Sequence, residues 1–192
     1  MIAIIKYNAG NIRSVQNALN RLGYESIITD DKTEILNADK VIFPGVGEAS
    51  SAMTYLKEKG LDKVILSIEK PILGICLGLQ LMCDYSEEGD TKCLGIFNTQ
   101  VKKFPPIEKV PHIGWNSFSE IKGELFKNIK IDNDMYYVHS YYAERNEQTI
   151  ATCNYIHPFA SAMHNDNFYA TQFHPEKSAD VGTQLLKNFL EL

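Results

Sequence analysis

The stretch KPILGICLGLQLM, residues 70–82, decides the fold. Its first part, PILGIC, is a short apolar run of the length of a buried strand. Its second part, continuing as LGLQLMCDYS, has the apolar spacing of a helix. Cys76 stands at the junction, with Gly74 before it and Gly78 after it. That is the G-x-nucleophile-x-G pattern of a strand-to-helix elbow. The glycines have a steric reason, because the central residue sits in a strained turn and side chains two positions away would collide with neighbouring backbone. The helix aims its N-terminus at the sulfur, favouring a thiolate over a thiol whose ordinary pKa is roughly 8.5. The Leu77 amide, first on that helix, is positioned to donate to an oxyanion. The pentapeptide alone leaves three readings open: a small buried hydrophobe, a metal ligand or a nucleophile.

Working outward, the same strand–helix unit repeats toward the N-terminus. MIAIIK reads as a buried strand, and NIRSVQNALNRLG as a helix with Ile12, Val15, Leu19 and Leu22 on one face and Gly23 as its stop. YESIIT and KVIFPG read as strands, the second broken by Pro44 and Gly45; EASSAMTYLKEKG and LDKVILSIEK read as helices. This alternation predicts an α/β fold with a mainly parallel central sheet covered by helices on both faces, flavodoxin-like in type. From about residue 93 the rhythm changes to strands: CLGIFNTQVKKF, HIGWNSF, MYYVHSYYA, TIATCNYI and FASAMHNDNFYATQF, the last with a hairpin at HNDN. These add antiparallel strands to the C-terminal half. SADVGTQLLKNFLEL closes the chain as an amphipathic helix with Leu185, Leu186, Phe189 and Leu190 inward. No linker or repeat interrupts the pattern, so residues 1–192 are expected to form a single domain.

Composition narrows the function. The net charge is −5, and no Lys/Arg cluster offers a stripe for counterion release, which argues against nucleic acid as a partner. Lys6 interrupts the N-terminal apolar run too early for a signal peptide, and no apolar stretch reaches the length of a membrane span. A cytoplasmic protein with no membrane partner is expected. Cys76, Cys83, Cys93 and Cys153 form no C-x-x-C pair and have no histidine at zinc-ligand spacing, so no metal site and no cofactor are expected. Cys83, Cys93 and Cys153 read as buried small hydrophobes.

A thiolate that does acyl chemistry needs a base, and the base an orienting group. Among His112, His139, His157, His164 and His174, only His174, in QFHPEKS, has a carboxylate two residues on. In extended backbone positions i and i+2 face one side, so Glu176 can hold the imidazole from behind, with Pro175 restricting the alternatives. Elbow and H-x-E together point to a Cys76–His174–Glu176 triad. A second oxyanion donor is expected from another strand-end loop, and FPGVGEAS fits. A dinucleotide fingerprint at Gly45-Val46-Gly47 fails because Ser50 stands where the third glycine belongs.

These residues carry a resemblance. GICLGLQLM with QFHPEKS resembles the class I (triad-type) glutamine amidotransferases. YNAGNIRSV, PGVGEASSAM, CLGLQLMCDYSEEG, PHIGWN, YYVHSYY and TQFHPEKS succeed one another in the order found in that family's glutaminase subunits of histidine biosynthesis, from Tyr7 to Ser178. The resemblance implies that Cys76 attacks the side-chain amide of L-glutamine, His174 moves the proton to departing ammonia, and Glu176 orients the ring. It places Gln80 and Glu88 at the amino acid's polar ends, the backbone of His139, Ser140 and Tyr141 along the substrate, and Gly47 close on bound glutamine. It makes the amides of Val46 and Leu77 the oxyanion hole, the former after a peptide of PGVG reorients.

Ammonia set free in water is protonated and lost as a nucleophile, so a glutaminase that serves synthesis passes it directly to an acceptor site. The resemblance implies a separate (β/α)8-barrel cyclase as partner in a heterodimer, with Asn11, Trp115, Tyr136 and Lys177 facing it. Three rival readings stand beside this one. Similar chains supply ammonia for sugar amidation in surface polysaccharide synthesis; the others are a stand-alone cysteine hydrolase and a non-enzymatic scaffold for the barrel.

Overall fold

The structure, a computed structural model, describes residues 1–8 and 10–192; within the YNAGNIRSV motif, Ala9 lies outside the described residues. The chain opens β1 (Ile2–Ile5), α1 (Ile12–Arg21), β2 (Ser26–Thr29), α2 (Lys32–Asn37), β3 (Lys40–Gly45), α3 (Ala49–Lys59), α4 (Leu61–Leu66), β4 (Ile72–Cys76) and α5 (Leu77–Met82). The strand-rich half comprises β5 (Cys83–Ser86), β6 (Thr91–Lys92), β7 (Phe97–Lys103), β8 (His112–Asn116), β9 (Glu120–Ile121), β10 (Met135–His139), β11 (Tyr141–Ala143), β12 (Thr149–Tyr155), β13 (His157–Asn165) and β14 (Phe168–Thr171). Helix α6 (Ala179–Glu191) ends it.

Strands β2-β1-β3-β4-β14 lie side by side and parallel, and the sheet continues through β13, β11, β7, β5 and β6. The β14–β13, β13–β11 and β11–β7 pairs are antiparallel; β8 and β10 form a separate two-stranded antiparallel sheet. The expected mixed α/β architecture is the observed one. Alternation along β1 shows why both faces are covered: Ala3 and Ile5 enter one apolar cluster with Phe43, Leu56 and Ile65, while Ile2 and Ile4 enter the other with Val15, Leu19, Leu185 and Phe189. Among the described residues no helix is long and apolar enough to cross a membrane.

Four element boundaries differ from expectation. The helix read through LGLQLMCDYS stops at Met82, because Cys83 turns extended (φ −71°, ψ 176°) and pairs with Phe97. KVIFPG is not broken at Pro44; β3 runs through Gly45, which pairs with Cys76. LDKVILSIEK is helical only to Leu66, where the Ser67 hydroxyl donates to the Val64 carbonyl. MYYVHSYYA divides at Ser140 into strands of two different sheets. Helix α2, not anticipated, is capped by Asp31, whose carboxylate accepts from the Thr33 and Glu34 amides at 2.8 and 3.0 Å.

Candidate active site

Register brings the candidate residues together. Gly45 pairs with Cys76 across β3–β4, and Thr171 pairs with Ile75 across β14–β4. The carboxyl ends of three adjacent parallel strands therefore deliver PGVG, Cys76 and QFHPE to one edge, where ligands bind in open α/β sheets.

Cys76 has φ 55° and ψ −106°, left-handed backbone that a side chain adopts only under strain. Both flanking glycines are needed for the turn. A Cβ on Gly78 would lie 2.0 Å from the Phe43 carbonyl oxygen, and one on Gly74 would lie 2.9 Å from Met82 Sδ and 3.0 Å from the Gly78 carbonyl carbon. Helix α5 has only six residues, so its effect on the sulfur is confined to the free N–H groups of its first turn rather than a long dipole.

Cys76 opens on a cleft of about 290 Å³. The cleft is lined by Val46, Gly47, Leu77, Gln80, Glu88, His139, Ser140 and Tyr141, every residue expected at the oxyanion hole and substrate site, together with Pro111 and Val138. Gln80 is buried; its Nε2 donates to the Tyr141 carbonyl at 2.9 Å and to Gln172 Oε1 at 3.0 Å. Glu88 accepts from the Ala49 amide at 2.9 Å, and burial raises its carboxyl above the usual range against the lowering effect of that bond. Gly47 has φ 131°, and the Val46 carbonyl accepts from the Gly10 amide at 3.3 Å.

His174 and Glu176 are buried as a pair, His174 Nδ1 donating to Glu176 Oε1 at 2.8 Å. The other ring nitrogen, Nε2, has no hydrogen-bond partner among the described residues. Burial pulls the imidazole toward neutrality, but the adjacent Cys76 sulfur and the Glu176 carboxylate outweigh it and push the histidine up to about 10. Among the remaining cysteines, burial pushes Cys93 and Cys153 up to about 12 and Cys83 well above its ordinary value, leaving inert thiols.

Behind the cleft wall, His139 Nδ1 donates to the Tyr141 carbonyl at 2.7 Å, and its Nε2 meets His112 Nδ1 at 3.0 Å. Burial lowers His139 to about 3 and His112 to about 4, so both rings are neutral at neutral pH.

The four residues expected to face a partner divide. Trp115, 54% exposed, meets Tyr136 edge to face across β8–β10 with ring centroids 5.8 Å apart, and Lys177 is exposed. Asn11 turns its amide onto Glu176 Oε1, with Nδ2 3.4 Å from His174 Nδ1. Sequence reasoning missed that contact, and it also missed Gln172, whose Nε2 lies 3.7 Å from Cys76 Sγ. The i, i+2 spacing that linked His174 to Glu176 also reaches back to Gln172 and was the available signal. No local pattern links Asn11 to a residue 165 positions away.

The chain matches the family described as glutamine amidotransferase class-I over residues 3–192. It is 59% identical over 194 residues to the imidazole glycerol phosphate synthase subunit HisH of Bacteroides fragilis, covering 100% of this chain and 99% of that one. The protein of the same name from Pasteurella multocida is 45% identical over 192 residues, covering 99% and 97%. Among solved structures, PurLQS from Thermotoga maritima superposes with a TM-score of 0.76 at 14% identity, covering 99% of this chain and 97% of that one. A glutamine amidotransferase from the same organism does so with 0.66 at 16% identity, covering 99% and 82%. At such identities these two establish a common fold. The full-length match and the high identity of the HisH relatives go further: this chain belongs to the class-I glutamine amidotransferase family.

Proposed function

We propose that the chain is the glutaminase subunit of an imidazole glycerol phosphate synthase, a single domain that hydrolyses L-glutamine and passes the ammonia to a separate cyclase subunit in histidine biosynthesis. The reading rests on one observation above all: a strained cysteine that opens on a cleft of amino-acid size has a buried His–Glu pair, distant in the chain, beside its sulfur.

Cys76 Sγ attacks the carboxamide carbon of glutamine, and the carbonyl π pair moves onto oxygen. The Leu77 amide, and the Val46 amide after the PGVG peptide turns, stabilise that oxyanion; one such donor is typically worth about 10²–10³ in turnover. His174, protonated beside the sulfur, gives its Nε2 proton to the departing amine, and ammonia leaves a glutamyl thioester. Water then attacks, with the neutral imidazole as base, and glutamate departs as the thiol is restored. Glu176 and Asn11 hold the ring in place throughout. Gln80 and Glu88 face the amino acid's charged head.

The two-stranded β8–β10 sheet has a route to the base. The Tyr136 carbonyl accepts from the His174 amide at 2.9 Å, and Ser178 Oγ bridges the Tyr136 amide and the His174 carbonyl at 3.0 and 2.6 Å. A barrel partner seated on Trp115, Tyr136 and Lys177 would act on His174 through this link. In the complex, Cys76→Ala is expected to abolish glutamine-dependent synthesis and leave synthesis from added ammonium salts intact. Loss of both activities would mean a scaffolding role and overturn the reading.

A further inference from the structure

Gln172 is fully buried between the end of β14 and His174, its amide N–H donating to the Ser161 carbonyl at 2.8 Å. Its side chain lies between two parts of the site that are otherwise separate. Oε1 accepts from Gln80 Nε2 at 3.0 Å, and Nε2 points at Cys76 Sγ at 3.7 Å. The direction of this chain of amides is dictated by its far end. The Tyr141 carbonyl, 2.9 Å from Gln80, can only accept, so Gln80 must turn its NH2 there. The second hydrogen of that NH2 reaches Gln172, which must answer with oxygen. Gln172 is then left with only donors for the sulfur. A flipped amide at either glutamine would set like groups against each other in a buried place, at the full cost of an unmet hydrogen bond.

We propose that Gln172 is a positioning residue that transmits a fixed amide polarity from the Tyr141 carbonyl through Gln80 to the Cys76 sulfur. One relay thereby sets two things at once. It leaves Oε1 as the remaining acceptor of Gln80, a residue that lines the cleft, for the ammonium head of the substrate. It also holds a donor on the nucleophile, fixing Sγ on its strained turn. The inference rests on the glutaminase reading, since the acceptor and the donor serve the two ends of one glutamine molecule.

Two substitutions separate the parts. Gln172→Glu keeps the shape and the acceptor for Gln80 but turns a carboxylate oxygen on the sulfur; Gln172→Met keeps the bulk and removes both polar ends. The readout is the rate at which iodoacetamide alkylates Cys76, monitored by mass across a pH series, and the glutamine concentration that protects the thiol. Cys76→Ala supplies the background.

With Gln172→Glu, the midpoint of the pH–rate curve is expected to move upward and alkylation at neutral pH to slow about tenfold, the lower end for losing a hydrogen bond to a charged group. With Gln172→Met, half-protection is expected to need roughly tenfold more glutamine, because the Gln80 amide is no longer held. Circular dichroism checks that each variant is folded; if Gln172→Glu is not, Gln172→Met decides. Variants with the wild-type pH curve and wild-type protection would overturn the relay. Wild-type thiol that reacts yet is not protected by glutamine would overturn the glutaminase reading instead.

Discussion

Cys76 at φ 55° costs on the order of 1–3 kcal/mol, which the surrounding packing must offset. In the proposed mechanism its reactivity comes from its company rather than its strain alone: His174 stands charged beside it, and Glu176 and Asn11 stand behind the ring. Asn11 donates to a carboxylate that already serves the histidine, so its loss leaves a buried charge short of a partner. Asn11→Ala is therefore expected to lower glutamine turnover roughly tenfold with little change in KM, the size of one hydrogen bond to a charged group. Steady-state glutaminase assays of the complex decide it. A normal kcat would show that Glu176 orients the ring unaided.

At the scale of elements, the site depends on how closely α5 approaches β3. Gly78 touches the Phe43 backbone, and the obstacle is a carbonyl oxygen in the middle of a parallel ladder, which cannot step aside as a side chain can. Gly78→Ala is expected to destabilise the protein by about 3 kcal/mol or more, at or beyond the usual upper range for overpacking, as read from a urea midpoint. A stability change under roughly 0.5 kcal/mol, typical of a neutral surface site, would contradict this packing. The same contact explains why the elbow was legible: the glycine spacing states a steric requirement within a few residues. The end of α5 was not legible, because CDYS carries no stop signal and leaves the helix only to pair with β7, whose sequence lies well downstream.

For the whole molecule, acid acts through the two buried neutral histidines, His112 and His139. His112 and His139 fall from an ordinary 6.5 to about 4 and about 3 on folding, so between those values the unfolded chain binds more protons. Their contribution is present in full above pH 6.5 and is lost as pH falls toward the folded values. Stability is expected to decline on acidification with a slope approaching two protons, and His112→Asn to remove about one of them. Denaturant titrations across that range would refute the account if the wild type and the variant had equal slopes.

Read alone, the sequence determined the alternating strand–helix half, the elbow at Cys76 and the H-x-E pair at His174, because each depends on periodicity or on sterics within a few residues. Tertiary structure alone decided that Asn11 would reach Glu176, that Gln172 would bridge Gln80 and Cys76, and that MYYVHSYYA would divide between two sheets. Such contacts join positions up to 165 residues apart. They exist only because strand register sets the carboxyl ends of neighbouring parallel strands side by side, and no local pattern of residue types encodes that adjacency.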